Sequence, residues 1–379
     1  MTTQRPERIL YFNSWSTAHG GSATSLLDIV RSLDYDRFQP MVVCPEEGDL
    51  PARLREIAVP VIVHPLSRLN REEAWRFLRE VPWYLRLLRD NRIALVHGNT
   101  SASRRSLLQA AKLARIPYVQ HVRNGMKNPA ASVGCRYAAR IIVNSDDAAR
   151  TLRSVPTLDP KTLTIHNAVD LQAYRHTDNH RDALGAGKRP VLGFVGQIVP
   201  RKGVRVLVES MPFILKSVPE ALLVIVGCAP PDDVSYEREC RELVSQMGIS
   251  ANVHFTGYRR DVPAWMRTFD IFVLPSQAEP FGKVVVEAMA AACPVVASRV
   301  GGIPEIIREP SLGTLVEERS AAAFAEAVIA LLHDPARRAA LAQAGRRHVT
   351  THFGLEGMIE RLQGVYDEIL REHRSARAA

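Results

Sequence analysis

The sequence predicts an α/β protein built on two parallel sheets, and three observations lead to this fold class. Short β-branched segments alternate with helix-length amphipathic segments along most of the 379 residues, a pattern typical of parallel sheets covered by helices. The strand candidates fall into two separate runs. A polar stretch containing Gly, Asn and Asp, residues 171–189, separates these runs and reads as a linker between two domains.

The individual elements follow from local periodicity and from the turn residues between them. The first run of strands is predicted over residues 8–12, 41–44, 59–63, 93–97, 118–121, 141–144 and 163–166, and the second over 191–195, 222–226, 253–255, 271–274, 294–297 and 313–316. After residue 320 only helices are predicted, over 321–333, 336–349 and 355–374.

Composition excludes several classes of protein. With 46% hydrophobic and 23% charged residues, the chain can bury two cores, and no apolar run is long enough to span a bilayer. The first residues lack the apolar centre of a signal peptide, so we expect a cytoplasmic protein. Five cysteines without a C-x-x-C pair indicate neither a disulfide framework nor a zinc site.

The positive charge of the chain is concentrated in its first half. Residues 1–180 hold 25 Lys and Arg against 17 Asp and Glu, whereas the remainder is nearly neutral. Residues 68–92 combine seven arginines with tryptophans and leucines, so this segment either packs on the domain core or contacts an anionic membrane peripherally. The basic residues form no recognition motif for nucleic acid, which we do not expect as a partner.

Two glycine-containing loops follow predicted strands and could bind an anion. Gly20 and Gly21 lie where the first strand gives way to a helix, so a phosphate or a sugar could approach backbone N–H groups there, although the pair could equally form a simple turn. In the second half a strand ends at Gly196, and Arg201 and Lys202 then precede a helix. Two cations beside a helix N-terminus suit a diphosphate.

A third loop carries two glutamates around the start of an apolar helix. Glu279 precedes this helix, and Glu287 is the only charge within its apolar part. A carboxylate in such surroundings needs a partner, which could be the hydroxyls of a ligand or a structural cation such as Arg299. The intervening turn at Phe281 and Gly282 leads into the helix, whose first N–H groups could meet a phosphate or sugar oxygen.

These motifs together resemble the signature of glycosyltransferase family 4. The resemblance is carried by the segment from Glu279 to Glu287, EPFGKVVVE, by the following PVVAS and GGIPE segments, and by the glycine loops described above, which stand in the expected order. It implies the GT-B fold, with two Rossmann-like domains facing a central cleft. We expect an N-terminal, acceptor-side domain over 1–175, a C-terminal domain that binds the nucleotide sugar over 176–360, and a helix over 361–379 that could return to the N-terminal domain.

The resemblance also implies roles for individual residues. Glu279 and His121 would act at the donor sugar as the catalytic residues, Glu287 would bind the ribose hydroxyls, and Lys202 would neutralise the diphosphate. The further donor-binding residues implied are Gly20, Gly21, Gln197, Arg201, Phe281, Gly282, Lys283 and Val284. Gln197 departs from the family, which commonly has Arg there, so one donor contact could be weaker.

The activity implied is transfer of a sugar from a nucleoside-diphosphate sugar to an acceptor hydroxyl with retention of anomeric configuration. The acceptor would be a saccharide or a lipid-linked molecule, as in polysaccharide, lipopolysaccharide or glycolipid biosynthesis. No cofactor is expected besides the donor, and no metal, because Asp34 and Asp36 lie between a helix and a strand at the wrong edge of the sheet and read as a turn. A nucleotide-sugar epimerase of the same fold and a non-catalytic sugar-binding protein are the alternatives.

Overall fold

A computed structural model describes residues 5–17, 21–65, 74–100, 104–175 and 178–378. Elements are numbered along the chain. The strands are β1 (Glu7–Phe12), β2 (Phe38–Cys44), β3 (Val61–Val63), β4 (Ile93–Gly98), β5 (Tyr118–Val122), β6 (Arg140–Val143), β7 (Thr162–Thr164), β8 (Val191–Val195), β9 (Leu222–Val226), β10 (Val253–Gly257), β11 (Ile271–Leu274), β12 (Val295–Ser298) and β13 (Thr314–Val316). Every strand that the sequence predicts is therefore confirmed.

The helices cover the faces of these strands. They are α1 (Gly21–Ser32), α2 (Asp49–Glu56), α3 (Ala74–Asp90), α4 (Arg105–Leu113), α5 (Val133–Tyr137), α6 (Asp146–Arg153), α7 (Val204–Ser217), α8 (Ser235–Gln246), α9 (Val262–Thr268), α10 (Lys283–Ala290), α11 (Ile303–Ile306), α12 (Ala321–Leu332), α13 (Pro335–His352) and α14 (Leu355–Ala378). Side chains set several of their starts: Ser145, Ser320 and Asp334 each accept a hydrogen bond from a backbone N–H in the first turn of α6, α12 and α13.

Both sheets are parallel, and the first six strands of each along the chain have the same order. The first sheet runs β3-β2-β1-β4-β5-β6-β7 and the second β10-β9-β8-β11-β12-β13. In each, the order reverses beside the first strand, between β1 and β4 and between β8 and β11. Ligands of open parallel sheets bind outside the carboxyl ends of the strands at such a switch point. We therefore expect ligand-binding residues on the loops after β1, β4, β8 and β11.

The chain divides into two compact units whose limits differ from the expected ones. The first unit comprises residues 1–167 and 355–379, and the second comprises 168–354. The second unit begins earlier than the predicted boundary at 175/176 because Val169 and Tyr174 are buried in its core and Val169 forms a bridge with Gly354. It also ends earlier than residue 360, because the whole of α14, from Leu355 onward, belongs to the first unit.

Helix α3 contains the described part of the basic segment; the start of that segment lies outside the described residues. Its Tyr84 and Leu88 are buried in the core of the first unit, so the apolar side of α3 is used for packing. Arg79, Arg86 and Arg89 remain exposed. Within the described part of the chain, no helix is both long and apolar enough to cross a membrane.

Candidate functional site

The loop after β8 is held against the loop after β11 at the switch point of the second sheet. A short turn, Pro200–Lys202, ends at Gly203, which adopts a left-handed backbone with φ of 74°. A Cβ atom on Gly203 would lie 2.0 Å from the carbonyl oxygen of Pro275, so only glycine allows this approach. The N–H of Gln277 also donates to the carbonyl of Arg201 at 2.7 Å. The two loops thus form one rigid edge.

This arrangement brings together Lys202 and Glu279, two of the predicted site residues. Lys202 forms an ion pair with Glu279, and the Oγ of Ser276 donates a hydrogen bond of 2.9 Å to the same carboxylate. The side chains of Lys202 and Glu279 are only 12% and 6% exposed. A buried carboxylate requires such partners. Since an ammonium group has three donors, Lys202 can bind a further oxygen without releasing Glu279.

The backbone of Glu279 is fixed by the loop after β12. Its carbonyl accepts a hydrogen bond of 3.0 Å from the N–H of Gly302. A Cβ atom on Gly301, whose φ is 53°, would lie 1.9 Å from this same oxygen. The GGIPE segment in the resemblance therefore has a structural reason, because its first glycine permits the close contact that places Glu279.

Helix α10 supplies the second acidic group of the site. It starts directly after Gly282, whose φ is 96°, and its N-terminus carries the partial positive charge of a helix start. The carboxylate of Glu287 lies 3.7 Å from the Nζ of Lys283, one turn earlier on the helix. Arg299, the alternative partner considered from the sequence, pairs instead with Glu317. The structural cation for Glu287 is thus Lys283, itself a predicted site residue.

The other predicted residues of the second unit differ in their surroundings. The side chain of Phe281 is buried and contacts the ring of Phe353 at 5.7 Å between centroids, so any ligand contact of Phe281 must use its backbone. Gln197 and Lys202 are partly buried, whereas Arg201 is exposed. Val284 is partly buried in the first turn of α10.

In the first unit, His121 lies near the end of β5 and is almost completely buried, with neither ring nitrogen bonded. Burial lowers the pKa of His121 well below its ordinary value, and electrostatic interactions with Arg123 and His97 lower it further. The imidazole is therefore neutral at pH 7. Gly21 opens α1, and nothing lies within 4 Å of where its Cβ would be. Gly20 lies outside the described residues.

The structure also shows a buried cation that the sequence analysis missed. The guanidinium of Arg123 donates to the Oδ1 of Asn99 at 2.7 Å and to the Oδ1 of Asn167 at 3.0 Å. Burial lowers the pKa of Arg123 to about 10, so it remains charged at pH 7. The sequence could have indicated Arg123 as a candidate site residue, because it lies two residues after His121 at the carboxyl end of a strand. These groups place a second polar cluster beside the switch point of the first sheet.

The segment from Asp34 to Asp36 forms a turn, as predicted. The N–H of Asp36 donates to the Oδ1 of Asp34 at 3.1 Å, and the N–H groups of Arg37 and Phe38 donate to the carbonyl of Asp34. Both aspartates are exposed and lie before β2, at the edge opposite to the site loops.

Comparison with known proteins assigns the chain to a family. The model named Glycosyl transferases group 1 matches residues 176–348, and the model named Glycosyltransferase Family 4 matches residues 19–173. The chain belongs to glycosyltransferase family 4. The D-inositol 3-phosphate glycosyltransferase of Mycobacterium marinum is 30% identical over 248 residues, which are 63% of this chain and 52% of that protein. The chain thus spans about half the length of the curated relatives it matches.

Solved structures of glycosyltransferases match over nearly the whole chain. Anabaena HepE, in complex with UDP and glucose, is 23% identical with a TM-score of 0.84, covering 95% of this chain and 99% of HepE. WaaG, a glycosyltransferase involved in lipopolysaccharide biosynthesis, is 19% identical with a TM-score of 0.72, covering 94% and 99%. These matches confirm the GT-B fold class that the resemblance implied.

Proposed function

We propose that the protein is a retaining glycosyltransferase that moves a sugar from a nucleoside-diphosphate sugar to an acceptor hydroxyl. The observation that carries the proposal is the buried pair of Lys202 and Glu279 at the switch point of the second sheet. A diphosphate needs a cation that is already positioned, and a sugar needs an acceptor of hydroxyl hydrogen bonds. This pair offers both within one contact, in a chain that belongs to family 4.

Each donor-side residue then has a defined task. Lys202 and the N-terminus of α10 stabilise the charge that develops on the leaving phosphate, a role that preorganised dipoles and cations perform well in a partly buried site. Glu279 binds hydroxyls of the sugar, and Glu287 binds those of the ribose while retaining Lys283 as its neighbour. The acceptor hydroxyl attacks on the face that the phosphate leaves and passes its proton to that phosphate.

The base of the donor, the role of His121 and metal independence remain predictions. A UDP-sugar is our first choice of donor, because HepE binds UDP-glucose. Neutral His121 can donate or accept a hydrogen bond to a hydroxyl without adding charge. We assign leaving-group stabilisation to Lys202 and to a helix N-terminus, which predicts that activity persists in excess EDTA.

The test compares three variants with a matched control. We expect Lys202→Ala and Glu287→Ala to weaken UDP binding by about 10- to 100-fold, the effect of losing one charge-assisted hydrogen bond. Glu279→Gln should mainly lower kcat for sugar transfer. Glu209→Ala should change neither quantity. It breaks the Arg205–Glu209 pair on α7, whose residues are four positions apart on a helix as are Lys283 and Glu287.

Thermal shift with UDP, GDP and ADP provides the first measurement, since a ligand that binds the folded state raises the melting temperature. Stabilisation by one nucleoside diphosphate identifies the donor class. If Lys202→Ala and Glu287→Ala bind UDP, GDP and ADP as the unmodified protein does, the proposed donor site is wrong.

Peripheral contact with an anionic membrane is a separate proposal. It rests on the exposed arginines of α3 rather than on Tyr84 and Leu88, which are buried in the core. Anionic lipid attracts such basic groups. We expect co-sedimentation with vesicles that contain phosphatidylglycerol and none with phosphatidylcholine alone. Equal sedimentation with both would reject an electrostatic contact.

A further inference from the structure

Trp15 is the most exposed of the large hydrophobic residues in the described part of the first unit. Its side chain is 65% exposed, more than any other large hydrophobic residue in the described ranges. Trp83, by comparison, stacks on His64 at 4.0 Å between ring centroids, and Trp265 is buried. An aromatic ring left in water forgoes the stabilisation that its burial would provide. Its position therefore calls for a reason outside the packing of the free protein.

The residues on either side of Trp15 are hydrogen-bonded to neighbouring segments. The Nδ2 of Asn13 donates to the carbonyl of Trp15 at 2.6 Å, and the hydroxyls of Ser14 and Thr100 lie 2.6 Å apart. On the other side, the Oγ of Ser16 donates to the carbonyl of Glu46 at 2.7 Å. The residues on both sides are anchored while the indole points outward, as in a preformed contact surface.

Trp15 also lies where this fold binds ligands. It follows the end of β1, and the neighbouring strand in the reversal of the first sheet is β4. The two strand ends are joined directly, because the N–H of Asn99 donates to the carbonyl of Phe12 at 2.9 Å and its Nδ2 donates to the Oδ1 of Asn13 at 3.0 Å. Trp15 therefore stands on the loop at the switch point of the first sheet.

The charges next to Trp15 indicate what kind of molecule it would contact. The loop that Ser16 binds carries two exposed carboxylates, Glu46 and Glu47, and Glu47 pairs with Arg55. Asp49, the first residue of α2, is exposed as well. The N–H of Glu46 in turn donates to the Oγ of Ser16 at 3.1 Å. An acidic loop beside an aromatic face repels a phosphorylated ligand but accepts hydrogen bonds from hydroxyls.

We propose that Trp15 is the platform on which the acceptor's sugar ring stacks, and that the acceptor is an uncharged saccharide. The inference rests on the proposed transfer of a sugar to a hydroxyl. A pyranose places apolar C–H groups on the indole face and directs its hydroxyls to the acidic loop. The same chemistry would serve a free glycoside or the terminal sugar of a larger glycan, and it disfavours a phosphate-bearing acceptor.

The test uses the full chain with UDP-glucose as donor and the methyl glycosides of glucose, galactose and mannose as probes, with glucose 6-phosphate as the charged comparison. We expect Trp15→Ala to raise KM for the accepted glycoside about tenfold, the usual effect of losing one aromatic stacking contact. The kcat should change little, and Trp15→Phe should restore most of the affinity. Both variants should keep the melting temperature and UDP affinity of the unmodified protein.

Fluorescence provides a readout that a structural role would not change. The glycoside should alter the tryptophan emission of the unmodified protein in the presence of UDP, and this response should disappear in Trp15→Phe although Phe still supports transfer. The inference is overturned if no methyl glycoside changes the emission, if Trp15→Ala keeps the original KM, or if glucose 6-phosphate is preferred. Failure of UDP, GDP and ADP alike to bind the unmodified protein would instead reject the proposed function.

Discussion

Tyr366 connects the C-terminal helix to the buried histidine pair of the first unit, and removing its hydroxyl tests how much this contact contributes. The Oη of Tyr366 lies 2.9 Å from the Oη of Tyr11 and 2.6 Å from the Nδ1 of His97. All three side chains are fully buried. The ring of His97 in turn lies 5.5 Å from that of His121. One oxygen on α14 therefore satisfies groups from both β1 and β4.

Replacing Tyr366 by Phe leaves the hydroxyl of Tyr11 and the Nδ1 of His97 without a partner. Each buried group deprived of its hydrogen bond costs about 1–3 kcal/mol, so the expected loss in free energy of unfolding for the two groups is about 2–6 kcal/mol. Tyr11→Phe breaks only the hydrogen bond between Tyr11 and Tyr366 and leaves Tyr366 bonded to His97. This change should cost about 1–2 kcal/mol. The order of the two variants follows from the number of broken contacts.

Urea denaturation of the full chain measures both losses, with the midpoint of the first unit's transition compared at constant slope. Tyr35→Phe is the control, because its Oη donates to the carbonyl of Val30 at 2.9 Å from an exposed position. We expect this control to lose less than about 1 kcal/mol. If Tyr366→Phe is as stable as Tyr35→Phe, the hydroxyl of Tyr366 does not hold α14 on the sheet.

Two further predictions concern pH and backbone strain. Burial, with a smaller contribution from Arg123, lowers the pKa of His97 to about 3, whereas the unfolded residue titrates near its ordinary value of about 6.5. The neutral buried His97 therefore costs the folded state nothing above about pH 6.5, and the free energy of unfolding decreases as the pH falls from there towards 3. Urea midpoints measured across this range should fall less steeply for His97→Gln, and identical slopes would contradict the assignment. Gly203→Ala should lower the melting temperature and abolish UDP binding, because its Cβ would meet the backbone of Pro275. Gly248→Ala, with a similar φ of 68° and open space around it, should cost only about 1–2 kcal/mol of conformational strain and leave UDP binding intact.

The sequence by itself determined the elements and the loops that carry the donor-site candidates. Buried parallel strands read as β-branched runs, and helices read as amphipathic segments, because both patterns depend on residues close together in the chain. For the same reason the cations before α7 and the glutamates around α10 could be placed on loops at strand ends. The turn at Asp34 was also readable, since its hydrogen bonds join neighbouring residues.

Only the tertiary structure decided which side chains meet. The pairing of Lys202 with Glu279, the choice of Lys283 rather than Arg299 for Glu287, and the start of the second unit before Tyr174 all depend on how separate loops approach one another. The clearest case is the hydrogen bond from α14 to His97, which joins groups 269 residues apart. Local periodicity does not predict contacts between residues so far apart in the sequence, because the packing of the whole sheet determines which distant strands and helices approach one another.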